Sequence, residues 1–149
     1  MTVTETAIEI AADPATIFRF ASATERWPEY LPHYRHVRVV EEKGTTRVVE
    51  MAARRGWIPV SWTAEQTNDP SRPHIAFRHV RGWTRGMEVE WRFEPIAGGT
   101  RVSIQHRLSF RFPVASEWLG RHVVSNFFIE YVATRTLRRM KVLAEESVP

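Results

Sequence analysis

The sequence predicts an α+β chain: a curved antiparallel sheet of about seven strands, two short helices after the first strand, and one long C-terminal helix. Three observations predict it. First, several segments alternate apolar and polar residues with period two, as strands with one dry face do. One face of the last strand reads Val102, Ile104, His106, Leu108, Phe110, against Arg101, Ser103, Gln105, Arg107, Ser109, Arg111 on the other. Second, short turn-rich connections join these segments, which favours a meander that wraps around a helix. Third, from about Ser116 the period changes to 3.6. The strands keep isolated polar groups on apolar faces, so the interior is expected to hold a ligand cavity rather than a solid core.

In order, residues 3–11 alternate weakly and read as a strand. Asp13-Pro14 opens a helix, Asp as N-cap and Pro at the first helical position, with Ile17, Phe18 and Phe20 as its buried residues. A second short helix starts near Thr24 and ends before Pro32, carrying Trp27 and Tyr30. Residues 35–42 and 46–54 form a hairpin around Lys43-Gly44, and 57–67 a strand with Ile58, Val60, Trp62, Ala64 and Gln66 in phase. Turn formers crowd 68–73. Residues 74–80 place Ile75, Phe77 and His79 on one face, and 86–94 place Met87, Val89, Trp91 and Phe93 on one face. Ala97-Gly98-Gly99 turns the chain into the last strand. In the C-terminal helix Ile129, Ala133, Leu137, Met140 and Ala144 form one stripe, and Val124, Phe128 and Tyr131 a second. A helix apolar on two sides touches two things, such as the sheet and a ligand or a second copy of the chain, so a homodimer is one expectation.

The totals narrow the function classes. The chain has 149 residues, enough for one domain spanning 1–149, and 43% are hydrophobic, enough for a real core. It has no cysteine, which removes disulfides and thiolate metal sites. No basic and apolar leader opens the sequence and no apolar run approaches the roughly 20 residues of a membrane span, so a soluble cytoplasmic protein is expected. The net charge is +4. The arginines are spread along the chain and alternate with apolar residues, which reads as a solvated outer face and not as a nucleic-acid stripe.

His79 and His106 are the histidines on faces assigned as inward. Each is a proton donor and acceptor candidate in an apolar cleft, where burial favours the neutral form; the alternative is a core imidazole bonded to a backbone carbonyl. Without an inward carboxylate they make no zinc site, and no metal or cofactor is expected. Tyr34 and Gln66 are further polar candidates able to orient a ligand oxygen. Arg55 shares parity with Val49, Met51 and Ala53 and is expected at the cavity mouth. Trp27, Tyr34, Met51, Arg55, Trp62, Phe77, Val89, Trp91, Ile104 and Phe128 are the expected cavity walls. Trp57 and Trp83 stand near strand ends beside Gly56 and Gly82. No nucleotide loop, serine nucleophile elbow or catalytic cysteine is present.

Three segments carry a family resemblance over essentially the whole chain. They are Ile8-Glu9-Ile10-Ala11-Ala12-Asp13-Pro14, Trp27-Pro28-Glu29-Tyr30-Leu31-Pro32, and Val89-Glu90-Trp91-Arg92-Phe93 running to Gly98-Gly99-Thr100-Arg101-Val102. In order and spacing the chain resembles the START-like, SRPBCC superfamily, and within it the polyketide cyclase/dehydrase group of aromatase/cyclases. The resemblance implies a helix-grip fold around a cavity and a hydrophobic, aromatic or polyketide-like ligand. It implies aldol-type cyclisation and dehydration as the reaction, and an acyl carrier protein as partner. Trp27, Tyr34 and Trp62 fall where those proteins place cavity aromatics. Those enzymes carry a functional arginine four residues beyond the tryptophan matching Trp62, where this chain has Gln66. An arginine holds an enolate as a cation, whereas glutamine donates only a neutral hydrogen bond. That difference weighs for the alternative, a non-enzymatic lipid or quinone carrier like the coenzyme Q-binding branch of the same superfamily. Tyr34, Gln66, His79 and His106 are the residues expected to move or orient protons if the chain is an enzyme.

Overall fold

The structure is a computed structural model that describes residues 2–82, 84–108 and 130–148. The expected start of the last helix near Ser116, and Trp83, Phe110, Val124, Phe128 and Ile129, lie outside the described residues.

Seven strands form one curved antiparallel sheet, in the order β1-β7-β6-β5-β4-β3-β2. They are β1 Thr2–Ile10, β2 Tyr34–Lys43, β3 Thr46–Arg55, β4 Ile58–Asp69, β5 His74–Gly82, β6 Glu88–Ile96 and β7 Gly99–Leu108. Between β1 and β2 come α1 (Pro14–Ser22), a 3-10 turn (Thr24–Arg26) and α2 (Trp27–Tyr30). Residues 130–133 are π-helical and run into α3 (Thr134–Glu146). This is the expected α+β helix-grip architecture. Among the described residues no helix is long and apolar enough to cross a membrane.

The period-two faces fold as the alternation requires. Val102, Ile104, His106 and Leu108 of β7 are buried, as are Val89, Trp91 and Phe93 of β6 and Ile75, Phe77 and His79 of β5. β4 and β5 both run past the ends that the alternation suggests. In β4 the Asp69 carboxylate accepts hydrogen bonds from Ser71 N (3.1 Å), Ser71 Oγ (2.7 Å) and Arg72 N (3.3 Å), so the turn begins later and Asn68 and Asp69 still pair with Ile75 and His74. In β5 the register jumps between the Thr63 and Ala64 pairings, and this bulge lets Arg81 and Gly82 stay paired to Thr63 and Trp62.

The helices close the concave side. Asp13 caps α1 by accepting from Thr16 N at 2.7 Å, which also holds its carboxyl below the usual range. Ile17, Phe18 and Ala21 of α1 are buried, and α1 packs on α3 and β6. From α3 the buried residues are Thr136, Leu137, Met140 and Ala144. The end of α3 is strapped to the end of β1. Glu145 Oε2 accepts from Ala11 N (2.8 Å) and from Lys141 Nζ (2.6 Å), and Lys141 Nζ also donates to Glu9 O (3.1 Å).

The β6–β7 turn presses on the same place. Thr100 Oγ1 donates to Ala12 O at 2.7 Å, and a Cβ at Gly99 would stand 2.1 Å from Ile10 O. Gly99→Ala is therefore expected to destabilise the fold by about 2 kcal/mol, since the backbone on both sides must move. In a domain of this size that lowers Tm by roughly 4–8 °C in a thermal melt. An unchanged Tm would mean the turn does not sit on β1.

Candidate functional site

The chain from β1 to β2 crosses the concave face, and the crossing delivers Trp27 to its centre. The Trp27 indole Nε1 donates to Phe20 O at 3.3 Å, and Tyr30 Oη donates to the same carbonyl at 2.8 Å. The indole ring then meets rings from three strands. Its centroid lies 5.0 Å from Tyr34, 6.2 Å from Phe77 and 6.0 Å from Trp91. Tyr34 continues the set to Trp62 at 6.1 Å, edge-on. These rings, with Met51, Val89 and Ile104 from the sheet and Val132, Ala133 and Thr136 from the C-terminal helical segment, wall a cavity of about 40 Å³. That volume admits about three water molecules.

Two imidazoles complete the wall. His79 stacks on Trp62 with centroids 5.6 Å apart and planes 5° from parallel, and its Nδ1 shares a 2.6 Å hydrogen bond with the buried Thr84 hydroxyl. Burial pushes its pKa down to about 3, with the neighbouring His106 adding to the shift. His106 is 4% exposed, and burial pushes its pKa down to about 4. Among the described residues its Nδ1 has no hydrogen-bond partner. Thr4, which pairs with His106 across β1 and β7, has a buried Oγ1 that also lacks one. Directly paired residues on one face have Cβ atoms about 5 Å apart. Each unsatisfied buried group costs about 1–3 kcal/mol.

A third buried histidine was not singled out by the alternation. His33 lies between α2 and β2, outside any strand, so period-two reading does not reach it. Its Nε2 shares a 2.9 Å hydrogen bond with Thr136 Oγ1, and burial, then the Arg135 charge, pushes its pKa down to about 4. Its only sequence signal is its place beside Tyr34, whose ring centroid is 5.0 Å away.

The structure brings together Trp27, Tyr34, Met51, Trp62, Phe77, His79, Val89, Trp91, Ile104 and His106 around one cavity. Phe128 lies outside the described residues. Two expectations are corrected. Gln66 faces inward and is fully buried, but its amide does not line the cavity. Its Nε2 donates to Ser22 O (2.9 Å) and Asn68 Oδ1 (2.9 Å), and its Oε1 accepts from Thr24 Oγ1 (2.7 Å) and Arg47 Nε (3.3 Å). Every polar atom of the side chain is engaged in holding the α1 end to the sheet. Arg47, its cross-strand partner, is turned the same way, donating to Ser22 O and Thr24 Oγ1 and pairing with Glu25. Arg55 is exposed and lies over the Tyr131 ring, 5.5 Å from its centroid, and is not among the cavity's wall residues. Its parity is correct, but the strand ends there and a guanidinium at a strand end reaches solvent. Tyr34 is buried, and burial raises its hydroxyl pKa far above the usual value. Among the described residues no cluster of His, Cys, Asp and Glu could hold a metal ion.

The family described as polyketide cyclase/dehydrase and lipid transport matches residues 10–141. No curated protein matches the sequence. Solved structures share the fold at low identity. The Zhui aromatase/cyclase from Streptomyces sp. R1128 is 18% identical with a TM-score of 0.87, over 99% of this chain and 96% of that one. A START superfamily protein from Mycobacterium smegmatis is 12% identical with a TM-score of 0.75, over 98% and 99%. A STAR-related lipid transfer protein from Xanthomonas axonopodis is 13% identical with a TM-score of 0.66, over 94% and 84%.

Two predictions follow from the buried polar groups. His33, His79 and His106 hold pKa values of about 4, 3 and 4 in the fold, below the ordinary 6.5. Between those values the unfolded chain binds protons that the folded chain does not. Their contribution is complete above about pH 6.5 and is lost as pH falls toward the folded values, at roughly 1.4 kcal/mol per pH unit per proton. Urea midpoints should therefore fall steeply from pH 7 to pH 5; a flat profile would contradict the burial of these rings. Gln66→Leu should cost about 2 kcal/mol or more in the same assay at pH 7, because Ser22 O and the Thr24 hydroxyl lose a buried partner.

Proposed function

Because the chain belongs to the polyketide cyclase/dehydrase and lipid transport family, we propose that it binds a hydrophobic, ring-bearing or polyketide-like small molecule between the sheet and the C-terminal helix. The observation that carries this reading is the unpartnered Nδ1 of His106 in a wall made mostly of rings and aliphatic side chains. A ligand oxygen reaching His106 supplies the missing hydrogen bond, while its rings stack on Trp27, Trp62 and Trp91. The ligand makes its own room. A benzene-sized guest occupies a cavity of about 150 Å³, larger than the space present, so wall side chains move on binding. Met51, unbranched and flexible, is the least costly to displace.

Where the chain turns its ligand over, the reaction is aldol-type ring closure with dehydration, of a substrate delivered by an acyl carrier protein. Such a step takes a proton from carbon and returns one to oxygen. His106 and His79 are the groups for it, since both are neutral at pH 7 and neutral imidazole accepts a proton on one nitrogen and donates from the other. A second reading, binding and transport of a lipid or quinone without chemistry, is favoured by one observation. No guanidinium lines the cavity among the described residues, so nothing cationic meets an enolate there.

His106→Leu separates a ligand-holding role from a packing role. It removes an unsatisfied buried nitrogen at similar volume, so the urea midpoint of the unliganded protein should stay level or rise. Binding of 2-naphthol, followed by tryptophan quenching and calorimetry, should weaken about tenfold and show a negative heat-capacity change in the parent. Equal affinity in parent and variant would remove His106 from the site. Absence of binding by the parent would remove the cavity reading itself. Turnover of a poly-β-ketone mimic by the parent selects cyclisation; a quinone or lipid retained in native mass spectra, without turnover, selects carriage.

A further inference from the structure

The hairpin joining β3 to β4 reads Arg54-Arg55-Gly56-Trp57-Ile58. Gly56 takes φ +62 at its tip, where the turn needs the left-handed region. Trp57 is 89% exposed and Ile58 48% exposed. Beside the tip runs a groove of about 510 Å³ walled by Arg54, Gly56, Tyr131, Arg135, Arg138 and Arg139 among others. No carboxylate is among its described wall residues. Arg135 lies over the Tyr131 ring at 4.4 Å and Arg55 over the same ring at 5.5 Å, so one aromatic holds two cations at one place. Arg139 is tied back through Nε to Tyr30 O at 3.0 Å. Arg54, Arg55, Arg135 and Arg138 are all exposed, and none forms an ion pair among the described residues, in contrast to Arg26, Arg38, Arg47 and Arg92.

We propose that this end of the molecule docks on an anionic lipid bilayer. Trp57 and Ile58 enter the headgroup layer, and the guanidiniums of Arg54, Arg55, Arg135 and Arg138 meet lipid phosphates. Indole is suited to such an interface, with an apolar body and one polar N–H. Guanidinium pairs with phosphate in a fork. An acidic protein would satisfy the arginines but would need a preformed pocket for Trp57; a bilayer takes an unpocketed indole without one. The groove also adjoins the cavity. His33 is a groove wall, Thr136 is a cavity wall, and the 2.9 Å hydrogen bond between them joins the two. Docking here sets the membrane against the wall of the apolar chamber. The proposal goes beyond the ligand reading and does not need it.

The test is co-sedimentation of the full chain with vesicles of phosphatidylcholine alone and of phosphatidylcholine carrying about a quarter phosphatidylglycerol. Binding is expected only to the anionic vesicles, with release at high salt. Arg138→Gln and Arg54→Gln should each weaken partitioning roughly fivefold. Trp57→Ser should weaken it about tenfold and abolish most of the blue shift in tryptophan emission on binding. All three positions are exposed, so urea midpoints should match the parent and 2-naphthol binding should be unchanged. No binding to anionic vesicles, equal binding to neutral ones, or full binding by Trp57→Ser would overturn the proposal. So would capture of an acidic protein through the same arginines with no dependence on Trp57.

Discussion

The chain leaves the sheet at one edge and re-enters it at the other. β1 and β2 are successive strands, yet they are the two outermost in the order β1-β7-β6-β5-β4-β3-β2. Everything between them must cross the concave face, and the remaining strands fill in as a meander behind it. The crossing is held at two levels. On the polar side Gln66 and Arg47 both donate to Ser22 O, fixing the end of α1 to β3 and β4. On the apolar side Trp27 is held by Phe20 O and meets rings carried by β2, β5 and β6. A hydrogen-bonded buried amide is directional, whereas ring contacts tolerate sliding. The clamp therefore sets where the crossing lies, and the rings fill whatever space that position leaves.

The same burial decides the chemistry available inside. An imidazole in a dry wall resists protonation because the cation would leave water without a counter-charge. His79 and His106 share one cavity, so charging either also raises the cost of charging the other, as the contribution of His106 to the His79 shift shows. At neutral pH the chamber holds no charge on either ring. Its polar capacity consists of hydrogen-bond donors and acceptors, directional and short in reach. A chamber of that kind orients a carbonyl or hydroxyl and rejects an ion.

The sheet and the inward set were legible because period two is a local property. Trp62, Phe77, Trp91, Ile104 and His106 were placed by parity alone, and all five line the cavity. Parity fixes only the face on which a side chain begins. Gln66 begins on the inner face like Trp62, but its amide ends among Ser22, Thr24 and Asn68, brought there by a crossing helix far away in sequence. Arg55 begins with the parity of Met51 and ends over Tyr131. Long or polar side chains at the margins of a face go where tertiary partners are, and those partners are not local. His33 shows the converse. It sits in a connection with no period, and a residue of α3 more than a hundred positions away makes it a buried one.

How the small cavity could admit the proposed ligand turns on what must break to enlarge it. Moving Trp27 breaks its bond to Phe20 O and its contacts with three rings, each worth about 0.5–1.5 kcal/mol beyond burial. Moving Trp62 unstacks His79, which is itself held by Thr84. Separating His33 from Thr136 breaks one neutral hydrogen bond, about 1 kcal/mol net, and disturbs the contacts of the His33 ring with Tyr34 and Tyr131. That hydrogen bond joins a cavity wall to a wall of the arginine groove among the described residues. A guest of the proposed kind entering there, between α3 and the chain leading into β2, would leave the aromatic crossing in place, with Met51 and its aliphatic neighbours adjusting around it.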